Sequence, residues 1–284
     1  MIVAGIVLYN PQIKRLAENI EAIKNQVSEV IMFDNGSSNI EEIEELVKKY
    51  DNVTLLKGKE NKGIAYALNQ LANKALFDSK KWLLTLDQDS VVNKNIIKTY
   101  QKYMNLPHLG QLSCLYEDRN RKQKDLQEKE DATKIKYSIT SGSLINLTVL
   151  KEIGGFDSDF FIDWVDMELC CALRSYGYET YQVNELGFIH ELGHPTSFNF
   201  FGFKGYTSNY PAFRYYYKAR NSIDVAYRYP KEEKVFIRVL AQVKALIKIN
   251  LYEKNKLKKS KAILEGIRDG IRLKNKVRGN YLNQ

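Results

Sequence analysis

The sequence predicts an α/β fold in which a mostly parallel central sheet carries helices on both faces. Two observations predict it. Apolar runs and amphipathic stretches alternate four times between Ile2 and Leu86, the pattern of successive βαβ units. The apolar runs IVAGIVLY, EVIMFD and WLLTL are almost uninterrupted, as strands covered on both sides require. With 284 residues, 44% hydrophobic and 27% charged, the chain can bury a sizeable core, and only 5 Pro and 16 Gly argue against a disordered or collagen-like polymer.

Taken in order, residues 2–9 read as a buried strand, 13–27 as an amphipathic helix and 29–34 as a second strand. A Glu-rich helix over 40–50, a short strand at 53–56, a helix over 63–77 and a strand at 82–86 follow. Residues 117–136 are almost entirely polar and read as an exposed loop. Beyond Tyr137 come a strand and turn (YSITSGSLI), a short helix near Leu150, the loop GGFDSDFFIDW, a helix from Asp166 to Tyr176 and two short strands ending near His190. Aromatic-rich loops then run to about Tyr229. From Lys231 the composition is helical: Lys234, Arg238, Lys244 and Lys248 share one arc of a helical wheel, opposite Val235, Phe236, Val239, Leu240, Val243, Leu246 and Ile247. A second basic helical stretch spans roughly 257–274. These readings divide the chain into a domain over 1–229 and a basic helical extension over 230–284.

Charge follows the same division. From Lys231 onward there are 15 Lys and Arg against 5 Asp and Glu, and before it 28 against 29, so the net +9 belongs to the extension. Such an arm suits an anionic membrane surface, or packs on the rest of the chain with its lysines solvated. Three cysteines without a knuckle spacing indicate a reducing compartment, with the cytosol as the default. The apolar start lacks the basic segment and cleavage site of a signal peptide, and no run of about 18 apolar residues suggests a spanning helix.

In an open α/β sheet ligands bind beyond the carboxyl ends of the strands, and acids stand there. The fourth strand ends in LTLDQDS, which aims Asp87 and Asp89 at a common point where a divalent cation can be held by oxygen ligands. The second ends in FDNGSS, where Asp34 serves either as a turn cap or as an acceptor for a ribose hydroxyl or a pyrimidine imide. In FFIDWVDMEL, Asp163, Asp166 and Glu168 are clustered; Asp166 near a helix start is either a first-turn acid or a general base beside the apolar surfaces of Phe161 and Trp164. His190 can complete a metal site or be structural, and the structural reading is favoured for His194. Although His190–His194 matches His-Glu-x-x-His, Gly193 and Pro195 deny it the continuous helix a zinc protease needs. The turn after the first strand is LYNP, so the glycine fingerprint of dinucleotide enzymes is missing, as is a phosphate loop.

In order along the chain, Tyr9-Asn10-Pro11, FDNGSS, ENKGIAYALNQ, LTLDQDS, TSGSLIN and GGFDSDFFIDWVDMELCCALRSYGY resemble glycosyltransferase family 2, the inverting nucleotide-sugar-dependent enzymes, and most closely its bacterial rhamnosyltransferases. The resemblance covers about residues 1–225. It implies a GT-A, Rossmann-like fold and a magnesium or manganese cofactor. Asp34 would bind the pyrimidine, with Tyr9, Asn61, Gly63, Gln88 and Arg220 around the nucleotide sugar. Asp87 and Asp89 would hold the metal and diphosphate, with His190 as a further metal ligand. Asp166 would be the catalytic base, and Ser141, Gly142, Asp163 and Trp164 would line the acceptor side. Many relatives carry Glu-Asp where this chain has Val165-Asp166, so one acid of the pattern is missing.

The implied reaction moves a sugar, dTDP-L-rhamnose being the first choice of donor, onto a hydroxyl of a polysaccharide or lipid-linked glycan at the inner face of the membrane. A sugar nucleotidyltransferase would need a Gly-rich triphosphate loop after the first strand, which is missing. A nucleic-acid-binding protein would interleave its 19 tyrosines with basic residues, and nucleic acid is not an expected partner.

Overall fold

The computed structural model describes residues 1–119, 131–190, 196–200, 203–207 and 209–282, with backbone alone for 196–200 and 203–206. The first elements are β1 (Ile2–Leu8), α1 (Ile13–Ile23), β2 (Val30–Asp34), α2 (Ile40–Val47), β3 (Val53–Lys57), α3 (Ile64–Phe77) and β4 (Trp82–Asp87), in the predicted order. Next are β5 (Val91–Val92), α4 (Ile96–Gln101), β6 (Leu109–Asp118), β7 (Ala132–Lys134), β8 (Ser143–Asn146), α5 (Leu147–Glu152), α6 (Val165–Ser175) and β9 (Glu179–His190). A hairpin of β10 (Thr196–Phe200) and β11 (Phe203–Thr207) precedes α7 (Ala212–Arg228), α8 (Val235–Tyr252) and α9 (Lys256–Arg272).

The main sheet runs β3-β2-β1-β4-β8-β6-β9-β5, with β7 also paired to β9. The four predicted strands are all parallel, while β8 lies antiparallel between β4 and β6. Chain order reverses at β1, whose two neighbours are β2 and β4, so the crevice forms at their carboxyl ends. Register puts Leu8 opposite Asp34 and Val7 opposite Asp87, so the two acids flank the end of β1, about 10 Å apart across two strand spacings.

Both faces of the sheet are buried. Val3, Val7, Ile31, Phe33 and Leu83 face α3 and the α5–α6 side, whereas Ala4, Ile6, Leu8, Val30, Met32 and Leu84 face Leu16, Ile20 and Ile43 of the first two helices. This alternation, with each fully buried aliphatic worth about 1.5–3 kcal/mol, is why the strands read as unbroken apolar runs. Gly5 lets α3 approach: a Cβ there would lie 2.9 Å from Leu83 Cδ1 and 3.1 Å from Leu71 Cδ1.

Three expectations are corrected. The stretch read as aromatic loops contains α7, whose buried Tyr215, Ala219, Ser222, Ile223 and Ala226 recur at helical spacing; tyrosine and arginine between them concealed the period. The two short strands before His190 are one strand of 12 residues, broken only by register shifts against β6. The stretch 117–136, read as a loop, includes the last two residues of β6 and all of β7, and its residues 120–130, like His194, lie outside the described residues.

The basic extension packs back on the chain. Gly266 and Gly270 bring α9 against α7, where a Cβ would come within 2.4 Å of the Tyr216 carbonyl and 2.6 Å of that of Arg220. Beyond α9, Tyr281 and Leu282 are buried, and Leu282 joins the core beneath α3 and α6. No helix among the described residues is long and apolar enough to cross a membrane.

Candidate active site

The site is built first on the end of β2. Asp34 is buried, and its carboxylate accepts the N–H groups of Gly36 and Ser37, each at 3.1 Å. That caps the turn and still leaves acceptor capacity on a group with about four lone-pair sites. Asn35 beside it donates to Asn61 Oδ1 (3.0 Å) and the Gly63 carbonyl (3.1 Å) and accepts the Lys62 N–H (3.1 Å), which fixes the loop before α3. Gly63 has φ 92°, and a Cβ there would lie 2.5 Å from the Phe161 carbonyl oxygen; the next N–H, of Ile64, donates to that oxygen at 2.8 Å. Only glycine permits this contact, which joins the loop after β2 and β3 to the loop before α6. Gln88 Oε1 accepts the N–H of half-exposed Tyr9 (2.9 Å), tying the ends of β1 and β4.

Just past β4, ligand atoms of Asp87, Asp89 and His190 lie within 4.8 Å of one another. Asp87 is the last residue of β4 and His190 the last of β9, so two sheet positions aim them at one point. His190 Nε2 is 3.8 Å from Asp87 Oδ2, while its Nδ1 is 3.0 Å from Ser90 Oγ. Ser90 Oγ is 2.8 Å from Ser141 Oγ, which accepts the Asp87 N–H at 3.0 Å. With Nδ1–H donating to Ser90, Nε2 keeps its lone pair for a cation, the arrangement that orients metal-binding imidazoles. Burial, opposed by His190 and reinforced by the charge of Asp89, raises the Asp87 carboxyl above its usual range. Two acids and one imidazole form an oxygen-rich donor set that fits Mn²⁺ and Mg²⁺.

The third part is the start of α6. Asp163 and Trp164 both adopt left-handed backbone (φ 63° and 69°), a costly conformation for such residues at about 1–3 kcal/mol each. Their neighbours impose it: Arg214 grips the Asp163 carboxylate with two bonds of 2.7 and 3.1 Å, and buried Asn221 donates to the carbonyls of Ile162 (3.0 Å) and Asp163 (2.7 Å). The turn delivers Asp166 in the first turn of α6, where its Oδ1 accepts the Met167 N–H at 2.9 Å. Burial pushes the Asp166 carboxyl up to about 6; backbone N–H groups partly oppose this, and the charges of Asp163 and Asp87 add to it. Asp87 and Asp166 therefore feel each other's charge, although 79 positions separate them in the sequence.

The sequence-predicted residues divide by position. Asp87, Asp89 and His190 are brought together, with Gln88, Tyr9 and Asp34 along the same strand ends. Ser141 and Gly142 are buried behind the Asp-x-Asp turn: Gly142 (φ 72°) packs its backbone on the Phe188 ring and Ser141 holds the Asp87 N–H, so they shape the metal loop from behind. Asp163 is engaged by Arg214, and the Arg220 guanidinium bonds the Asp159 carbonyl and lies 5.0 Å from the Tyr217 ring centre. Sequence reasoning missed Ser90, Arg214 and Arg278. Ser90 stood in the motif itself. Arg278, which donates to Glu168 at 2.9 Å, had no local signal, because its partner is 110 residues away.

At the carboxyl edge of the sheet, beside the switch point, stand a trio that could hold a divalent cation and a carboxylate pushed up to about 6, and sequence comparison gives the family. The profile of Glycosyl transferase family 2 matches residues 4–162, so the chain belongs to that family and is a glycosyltransferase. It is 28% identical over 207 residues to the dTDP-rhamnosyl transferase RfbF of Shigella flexneri, covering 68% of this chain and 69% of that protein. Among solved structures it is similar in fold to S. aureus TarS bound to UDP-GlcNAc (TM-score 0.62, 13% identity, 96% of this chain and 81% of that one). It is also similar to the mannosyltransferase PcManGT of Pyrobaculum calidifontis bound to GDP-Man and Mn²⁺ (TM-score 0.59, 14% identity, 96% and 86%).

Proposed function

We propose that the protein transfers L-rhamnose from dTDP-L-rhamnose to a hydroxyl of a polysaccharide or lipid-linked glycan, with inversion at the anomeric carbon. The donor class rests on the likeness to RfbF, and what carries the mechanism is the placement of Asp166 in the first turn of α6, where burial pushes its carboxyl up to about 6 and the charge of Asp87 reaches it. Asp34 accepts the imide N–H of the pyrimidine, while Tyr9, Gln88, Asn61, Gly63 and Arg220 surround the nucleotide sugar. Asp87, Asp89 and His190 hold Mn²⁺ or Mg²⁺. A cation held by these residues would supply positive charge for a departing diphosphate, in place of the protonated acid a glycosidase needs. Asp166 takes the proton of the acceptor hydroxyl as that oxygen attacks from the face opposite the leaving group. Trp164 and Phe161 offer apolar faces to the acceptor sugar. Residues 1–229 contain this machinery, and 230–284 support it.

A thermal-shift panel tests the donor. dTDP-L-rhamnose with Mn²⁺ is expected to raise the melting temperature more than UDP-GlcNAc or GDP-mannose, because a ligand selective for the folded state stabilises it. The rise is expected to shrink on adding EDTA or replacing His190 by Ala. If no nucleotide sugar shifts the transition in the presence of metal, the reading fails.

A further inference from the structure

The side of α8 that looks away from the rest of the protein is apolar along its length. Phe236, Leu240, Val243, Ile247 and Leu251 are 42–72% exposed and share an arc of about 80°. The opposite side is the packed one: Gln242 and Ile249 are buried, and Ile249 lies with Tyr215, Ala219 and Ile263 between α7 and α9. This stripe thus faces solvent and is not covered by the other described residues. Exposed Lys244 and Lys248 border it, and exposed Lys254, Lys256, Lys258 and Lys261 follow around the α8–α9 junction beside Leu257. No acid lies on α8, and the acids at its ends are engaged within the chain: Glu233 by Arg238 and Tyr137, Glu253 by Lys259 at 2.7 Å.

We propose that this face of α8 lies in the interface of an anionic lipid leaflet, its apolar stripe among the acyl chains and its lysines at the headgroups. An amphipathic helix with cations beside its apolar face has the composition such binding requires, and the helix is too polar to span. A second copy fits worse. In a two-fold contact, the same surface would meet itself and bring lysines against lysines with no acid on the face to answer them. The first turns of α8 adjoin the loop before α6: the Arg238 guanidinium lies 4.9 Å from the Trp164 ring centre, two residues before Asp166. Docking by α8 therefore holds that loop near the membrane surface, where a lipid-carried acceptor is presented; this last step rests on the reading of Asp166 as base.

Co-sedimentation of the full chain with phosphatidylcholine vesicles, with and without phosphatidylglycerol, tests the proposal. The chain is expected to pellet with the anionic vesicles, less so as salt rises, and the Leu240→Glu/Ile247→Glu variant to stay in the supernatant with an unchanged melting temperature. Lys244→Gln and Lys248→Gln are each expected to lower the partition coefficient about fivefold. Failure of the parent chain to pellet at low salt, or equal pelleting of the double variant, overturns it. So does a dimer in sedimentation velocity that the double variant converts to monomer. Turnover on a soluble acceptor, unchanged in the double variant, separates failure of this inference from failure of the transferase reading.

Discussion

Asp166 and Glu168 stand two residues apart on α6, and their surroundings drive them in opposite directions. Among the described residues no cation is paired with Asp166, and burial beside Asp163 and Asp87 pushes its carboxyl up to about 6. Glu168 is fully buried on the other side of the helix. Burial alone would raise it too, but the guanidiniums of Arg278 and Arg228 prevail and hold it below the usual carboxylate range. Arg278 reaches Glu168 at 2.9 Å, Arg228 lies at 3.6 Å, and the Tyr229 hydroxyl donates at 2.7 Å; Arg228 also pairs with Asp157 and Asp224. The same residue chemistry yields a carboxyl held above its usual range on one face of the helix and an ion-paired structural anchor on the other. What separates them is whether the tertiary fold supplies a cation.

Substitutions can break this contrast from either side. Asp166→Asn is expected to lower transfer about a hundred- to ten-thousandfold in a sugar-release assay, while calorimetric donor binding persists. Retained turnover would remove Asp166 as the base. Glu168→Leu leaves two buried guanidiniums without their common partner and is expected to cost about 3–5 kcal/mol, read from the urea midpoint. A midpoint unchanged from the parent would show that Glu168 anchors nothing. Arg278→Met removes a charged hydrogen-bond partner and is expected to cost about 2 kcal/mol, with kcat falling and the donor KM holding, since Arg278 bonds Glu168, Ile153 and Gly155 and none of the residues proposed around the donor. If KM rises and kcat holds, Arg278 does not position the base.

The smallest effect is in pH dependence. kcat/KM is expected to fall tenfold per unit below about pH 6 as Asp166 takes up a proton. Stability should move the other way. Because the folded pKa of Asp166 lies above its unfolded value of 3.8, the folded state binds the extra proton between these values, and the parent chain loses stability as pH rises through that window. Asp166→Asn is therefore expected to melt higher than the parent at neutral pH and equally near pH 3. A melting difference independent of pH would show that the carboxyl is not perturbed in the folded protein.

The parts of the site that were legible lie where a local signal coincides with a strand end. LTLDQDS and FDNGSS could be read because an unbroken apolar strand followed by acids places those acids on the sheet edge, and the register of β1 with β2 and β4 bears this out. Residues that act through distant partners were not legible. The Ser90–Ser141 hydroxyl pair behind His190, the Arg214 grip on Asp163 and the Arg278 anchor span 51, 51 and 110 positions. Local pattern also misjudged α7, because Ile223 and Val225 are the only branched aliphatics on its buried face, the rest being tyrosine and small or polar residues.

By itself, then, the amino-acid order determined the alternation of strands and helices, the sheet edge on which the acids stand, and the family, since each depends on contiguous runs of residues and their periodicity. Tertiary structure decided which acid is basic, which is neutralised, and which side of α8 is left to solvent. These depend on burial and on charges brought from far along the chain, and neither is encoded in any local stretch.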